Sequence, residues 1–358
     1  MSFKPAGLAT GIGSVPFTNA DQALALIFKI MPEIPHWPQM PGRGQMEGFV
    51  FQSLNPLVKT GLIKIEGGRA FFDDGDNLWP ERLAEFYTVY MAAAGGDKQA
   101  IDFFAVPEEA AAGLFAFVEY IEKRGPGEAM FFKGHLAGPL TIGFQLKDTG
   151  GRLAYYEDQL RDLVVKTLAV NARWQAARLS ELGRKAIIFV DEPGISVYGK
   201  SDYITVTSEM IEKDLNEIFE QIHLAGALAG VHSCDAIDWS ILYRCGLDIV
   251  NLDVYNFGES LIPFAAELKG FIERGGVLAQ GIVPTNDNAR LEDRGSLLAR
   301  LEKLWESLGR RGIRREDLLA STMITPACGT GLLERDLAER IYRLAGEVSM
   351  AVRERAVV

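Results

Sequence analysis

Cysteine is scarce in this chain: three residues in 358, at Cys234, Cys245 and Cys328. An odd, low count gives no disulfide framework, so each thiol is a core residue, a metal ligand or a nucleophile. No apolar run approaches the ~20 residues that cross a bilayer. Met1–Thr10 carries no signal-peptide apolar region, which makes the cytoplasm the expected compartment. Positive charge is in deficit, with a formal net charge of −11. That argues against the concentrated Lys and Arg that nucleic acid or an anionic membrane requires, so neither is an expected partner. Low-complexity tracts, polar linkers and short tandem repeats are also missing, and one domain over residues 1–358 is expected.

What recurs is a short apolar run ending in small or polar residues, followed by an amphipathic helical stretch. That alternation signals parallel strands covered by helices. Eight strands are expected: Leu8–Gly13, Ile34–Trp37, Ala129–Lys133, Ala186–Val190, Leu228–His232, Asp248–Leu252, Val277–Gly281 and Leu319–Ile324. Several are rich in Val, Ile and Phe without alternation, as strands buried on both faces should be. Helical patterns between and after them include Tyr155–Leu182, Ser208–Ala225, Leu261–Arg274, Ser296–Gly309 and Leu333–Val352. The interval from Trp37 to Ala129 is too long for one crossover. Leu62–Glu66 and Arg69–Asp73 around Gly67-Gly68 read there as a β-hairpin excursion, and Phe115–Lys123 reads as a helix leading into the third strand. The expected fold is a (β/α)8 TIM barrel with this hairpin inserted between strands 2 and 3. An open doubly wound sheet is the competitor that periodicity cannot separate.

A barrel collects function at the C-terminal ends of its strands. Chemically loaded residues follow the expected strands closely: Ser14, His135, Asp191-Glu192, Cys234, Asp253, Pro284 and Cys328. In a strand, residues i and i+2 face the same way, so His232 and Cys234 can offer an imidazole nitrogen and a thiolate to one ion. Donors of that kind select zinc over calcium or magnesium. Cys328 ends the last strand in the Gly-rich turn Pro326-Ala327-Cys328-Gly329. Three ligands with an open fourth position is the pattern of a catalytic zinc. Asp253, at the end of the sixth strand, reads equally as a fourth ligand or as a helix N-cap. Cys245 lies in the helical stretch Trp239–Gly246 and reads as a core thiol.

Five segments, in order, carry a family resemblance. They are Gly11-Ile12-Gly13-Ser14-Val15-Pro16, Lys133-Gly134-His135-Leu136-Ala137-Gly138-Pro139, Val190-Asp191-Glu192-Pro193, His232-Ser233-Cys234 and Pro326-Ala327-Cys328-Gly329. The chain resembles the catalytic C-terminal half of the cobalamin-independent methionine synthases, within a barrel superfamily that includes uroporphyrinogen decarboxylases and corrinoid-dependent coenzyme M methyltransferases. The resemblance implies a Zn2+ enzyme that moves a methyl group to a thiol, homocysteine in that family. His232, Cys234 and Cys328 match the zinc ligands, and Asp253 stands where the family usually has a Glu ligand. Ile12 and Ser14 match positions holding the amino-acid end of homocysteine. Asp191 matches the carboxylate that receives its ammonium, with Glu192 beside it. Glu47 is the nearest candidate for a second carboxylate meeting the amine, and Arg43 next to it could instead take an acidic group. The folate-using members have a His-Ser pair after strand seven, where this chain reads Gly281-Ile282-Val283-Pro284-Thr285. A folate nitrogen leaves well only when protonated, so the expected donor is a methylcorrinoid, carried on a partner protein, with His135 the remaining candidate acid. Two other readings stay open: a metal-free lyase of the uroporphyrinogen decarboxylase type, and a non-catalytic binding protein on the same barrel. Metal content and thiol methylation separate the three.

Overall fold

The computed structural model describes residues 3–356. Its fold is mixed α/β around a six-stranded parallel sheet in sequential order. The hairpin supplies β1 (Ile63–Glu66) and β2 (Arg69–Phe72). The sheet follows as β3 (Phe131–Ala137), β4 (Lys185–Asp191), β5 (Leu228–Ser233), β6 (Ile249–Leu252), β7 (Val277–Val283) and β8 (Thr322–Pro326). From β5 to β8 almost every residue is buried, which accounts for the unbroken apolar runs of sheet strands covered on both faces. Helices Asp158–Ser180, Ser208–Leu224, Ala265–Glu273 and Arg294–Gly309 make crossovers, and Arg335–Ala356 follows β8.

The first two expected strands do not form ladders of their own. Leu8–Gly13 touches β8 through the isolated bridge Ala9–Ile324, and Ile34–Trp37 touches β3 through His36–Lys133. Ser14 and Gln39 bridge the two segments to each other. Proline is the physical reason in the second segment: Pro35 and Pro38 flank His36-Trp37 and each removes a ladder donor. The remaining hydrogen bonds still run in strand fashion, Thr10 N–H to Ile324 O at 3.0 Å and Trp37 N–H to Lys133 O at 3.2 Å.

Two apolar clusters lie on opposite sides of the sheet. The large one packs sheet against helices. A small one unites Leu8, Ile34, Ile187, Phe189, Ile249, Val277, Ala279 and Met323, with Phe131 and Leu228 against it. The small cluster thus draws on β3 to β8 and on both bridging segments.

The hairpin turns through Gly67 and Gly68, at φ +55° and +77°. Two consecutive positive φ values define the tight turn that matches strand twist. Phe72 N–H donates to Lys147 O at 2.9 Å, which fastens the hairpin to the loop beyond β3. The helix expected at Phe115–Lys123 spans Ala112–Arg124. Among the described residues no helix is long and apolar enough to cross a membrane.

Candidate metal and thiol site

His232 is the penultimate residue of β5 and Cys234 lies just past the strand, while Cys328 follows β8 by two residues. Parallel strands present these ends on one side of the sheet, and one ligand atom from each of the three lies within 4.8 Å of the others. The imidazole is set from behind: its Nδ1 meets Asn251 Oδ1 on β6. Its Nε2 is buried without a hydrogen-bond partner.

Charge within the trio is unbalanced. A hydrogen bond from Cys328 and the adjacent His232 ring pull the Cys234 thiol down to about 4. The Cys328 thiol moves the other way, raised by the neighbouring Cys234 sulfur and by burial. Burial opposes charge on His232, yet contact with Cys234 and the field of Asp191 leave its pKa raised. All three shifts express one fact: negative charge gathered at a half-buried point asks for a cation. An unpartnered buried nitrogen, a thiolate and a second sulfur form a donor set suited to zinc.

The Cys328 turn is clamped to the other end of the chain. Thr330 N–H donates to Ser14 O at 2.9 Å, and Gly331 N–H donates to Ser14 Oγ at 3.2 Å. A methyl group at 329 would overlap Ser14 Oγ, so the turn needs glycine there. A cavity of about 640 Å³ opens over the trio, with Ile12, Ser14, Asp191, Phe49, Pro193 and Leu333 among its walls. Asp191 is 6% exposed and its Oδ1 has no partner. Burial raises its pKa to about 6, against the opposing pull of His232 and Lys133.

Several candidates are placed elsewhere. Asp253 caps the short helix Val254–Phe257, with Oδ1 accepting from Asn256 N–H at 2.9 Å and Oδ2 from Asn256 Nδ2 at 2.6 Å. It does not join the convergent trio; the N-cap alternative is what the local backbone favours. Glu192 is fully buried and does not line the cavity. Its oxygens accept from Leu140 N–H and Thr141 N–H, both at 2.8 Å, and from the Thr141 hydroxyl. It holds the start of the helix Pro139–Gly143 rather than a substrate. Arg43 and Glu47 are spent on each other at 2.6 Å, and neither lines the cavity. The Arg43–Glu47 pair braces the turns that carry Pro41 and Phe49 to the cavity wall. His135 also lies outside the cavity, stacked on Trp37 at 3.9 Å between ring centroids. A methyl group at Gly13 would stand 2.5 Å from its ring, so Gly13 covers it. Burial holds its pKa well below the ordinary value, leaving a neutral ring whose two nitrogens are buried without partners.

Two residues escape the sequence reading. Lys133 is wholly buried, its ammonium donating to Ile12 O and lying 4.3 Å from the Phe189 ring. Asn251 is also wholly buried and touches His232 directly. A Lys and an Asn inside apolar strands are the available signals, since neither is buried without a task.

Glu192 carries a consequence for stability. Burial outweighs its hydrogen bonds and pushes its pKa from 4.5 up to about 7. The folded state therefore binds more protons than the unfolded chain between these values, and stability falls as pH rises through that window. The contribution is on the order of 3 kcal/mol. Urea unfolding of wild type and Glu192→Gln across pH 4–8 checks it: the variant should lack this part of the slope, and an unchanged slope assigns it to another group.

No protein-family model matches the chain, and no curated protein matches it. Among solved structures, a B12-independent methionine synthase from Shewanella sp. W3-18-1 is 15% identical, over 68% of this chain and 67% of that one, with a TM-score of 0.49. A putative vitamin-B12 independent methionine synthase from Listeria monocytogenes is 18% identical over 65% and 69%, at 0.43. A catalytic module of the pneumococcal exo-beta-D-N-acetylglucosaminidase is 11% identical over 96% and 83%, at 0.45. Scores at this level establish neither a family nor a chemistry.

Proposed function

We propose that this chain is a zinc-dependent thiol S-methyltransferase, with homocysteine or a closely similar amino-acid thiol as acceptor and a methylcorrinoid as donor. The observation that carries the reading is the convergence of His232, Cys234 and Cys328 under a cavity large enough for a small substrate. We read the architecture as one (β/α)8 barrel over the whole chain, because the small apolar cluster takes residues from eight consecutive segments. A metal centre at the C-terminal strand ends is where that fold keeps its chemistry.

His232, Cys234 and Cys328 would hold the ion, with Asp253 left to its capping role. Bound zinc would supply the acidity that turns a neutral thiol into a thiolate at pH 7. The chain supplies the rest. Asp191 offers a free carboxylate oxygen to an ammonium group. Ser14 and the Gly329–Gly331 turn shape the cavity beside Cys328. Ile12, Phe49, Pro193 and Leu333 exclude water around the reacting sulfur. Two thiols this close need a reducing compartment to stay reduced, and we place the activity in the cytoplasm.

The donor follows from proton supply. Thr285 lines the cavity beyond β7, where it offers no titratable acid, and His135 is neutral behind Gly13. A folate nitrogen departs poorly without an acid, whereas a corrinoid cobalt leaves with the bonding electron pair and needs none. Methylcobalamin, or a methylated corrinoid protein, should therefore support homocysteine methylation by the zinc-loaded protein, and methyl-tetrahydrofolate should support little or none. Methionine formed from each donor is measured directly. Equal rates from the two would overturn the donor assignment, and no methylation of any thiol by zinc-loaded protein would overturn the function.

A further inference from the structure

The back of the His232 ring presents a single logical chain of hydrogen bonds. Asn251 sits on β6, beside His232 in the parallel register, and is wholly buried. Its Nδ2 donates to Ala279 O on β7 at 2.8 Å and to Thr325 Oγ1 on β8 at 2.8 Å. A backbone carbonyl can only accept. The amide nitrogen must therefore face Ala279, and the flipped amide is ruled out. Oδ1 is then the atom that faces His232 Nδ1. Because an amide oxygen can only accept, Nδ1 must carry the proton. In a neutral ring that leaves the lone pair on Nε2, the buried and unpartnered nitrogen beside the two cysteines.

We propose that Asn251 is the positioning residue that sets the His232 tautomer, keeping Nε2 bare and aimed at the metal point, and that Thr325 ties this setting to the strand bearing Cys328. The inference rests on the reading of His232 as a ligand, but only for its effect on zinc; the tautomer itself follows from the hydrogen bonds alone. Thr325 stands three residues before Cys328, so one amide side chain links the strand ends that carry all three ligands. Without it, His232 is free to place its proton on Nε2, where it blocks the ion. The ring is also free to turn about its side-chain bond, because nothing else holds Nδ1.

Two measurements on the full chain test this. The first is 15N-detected histidine NMR of the wild type, freed of metal, with the His232 signals identified by their loss in His232→Gln. At a pH high enough for the ring to be neutral, the expected result is a proton on Nδ1. A ring protonated at Nε2 overturns the proposal, whatever the variants do. The second compares zinc affinity by chelator competition in wild type and Asn251→Ala. Loss of an outer partner of this kind costs roughly 10–100-fold, and the Ala variant should fall in that range while its His232 signals show mixed tautomers. Unchanged affinity with an unchanged tautomer in a folded Ala variant also overturns the proposal. If wild type binds no zinc, the functional reading falls and the NMR result alone decides the role of Asn251.

Discussion

Cys328→Ser is expected to strip the protein of zinc and of thiol methylation together. The variant loses a ligand itself rather than an outer partner, so its zinc affinity should drop by more than the roughly 100-fold that loss of an outer partner costs. Serine keeps the size of the side chain and the glycine turn behind it. What it removes is the soft donor, and a hydroxyl does not ionise to replace it. The fold should survive, because Cys328 is only half-buried and its turn is held by the Thr330 and Gly331 contacts with Ser14. Cys245→Ser is the control. Cys245 is buried, its Sγ donates to Ile241 O at 3.3 Å, and burial pushes its pKa to about 12. That thiol is inert packing, and zinc content should not change without it. Metal analysis of protein purified with zinc and without chelator reads both variants. A full equivalent of zinc in Cys328→Ser would sink the ligand assignment, as would a wild type with none.

The second large effect concerns the acceptor. Asp191 Oδ1 is buried, unpartnered and on the cavity wall. A charge-assisted contact with an ammonium is worth roughly 1.5–3 kcal/mol, or about 10–150-fold. Wild type should therefore prefer homocysteine over its desamino analogue by that factor, and Asp191→Ala should bind the two alike. The preference also has a pH dependence of fixed sign. With the carboxyl raised to about 6 by burial, it is an anion above that value and neutral below it. Preference for the amine should fade as pH drops through about 6. Competition binding of both thiols at pH 5 and 8 decides the matter; equal binding by wild type at pH 8 would falsify this role for Asp191.

Sequence reasoning reached the cluster of His232, Cys234 and Cys328 and six of the eight expected strands because both depend on short-range rules. A strand end with His and Cys two residues apart commits both side chains to one side, and unbroken apolar runs announce strands buried on both faces. The same rules fail where the direction of a carboxylate is decided by its own loop. Glu192, one residue past β4, turns back onto the amides of Leu140 and Thr141. Asp253 turns onto Asn256, and Glu47 onto Arg43. In each case an unpaired donor close by in the fold captures the carboxylate, and no periodicity reveals that. The second expected strand is misjudged for a different reason, since its apolar content promises a ladder that Pro35 and Pro38 cannot supply. Asn251 is missed because its importance lies wholly in what its two neighbouring strands accept.

The clamp between Ser14 and Gly331 joins residues 317 positions apart. A chain growing on the ribosome exposes the Ser14 segment long before Cys328 and the turn that seats it are made. On the proposed reading, metal capture by all three residues would wait until these distant segments have met, since a zinc donor set binds tightly only when every member is in place. Such distant pairing is also slow to find during folding. Copies in which the clamp has not formed would hold an ion weakly, so metal retention would work as a quality mark for molecules whose Ser14 and Gly331 segments have met.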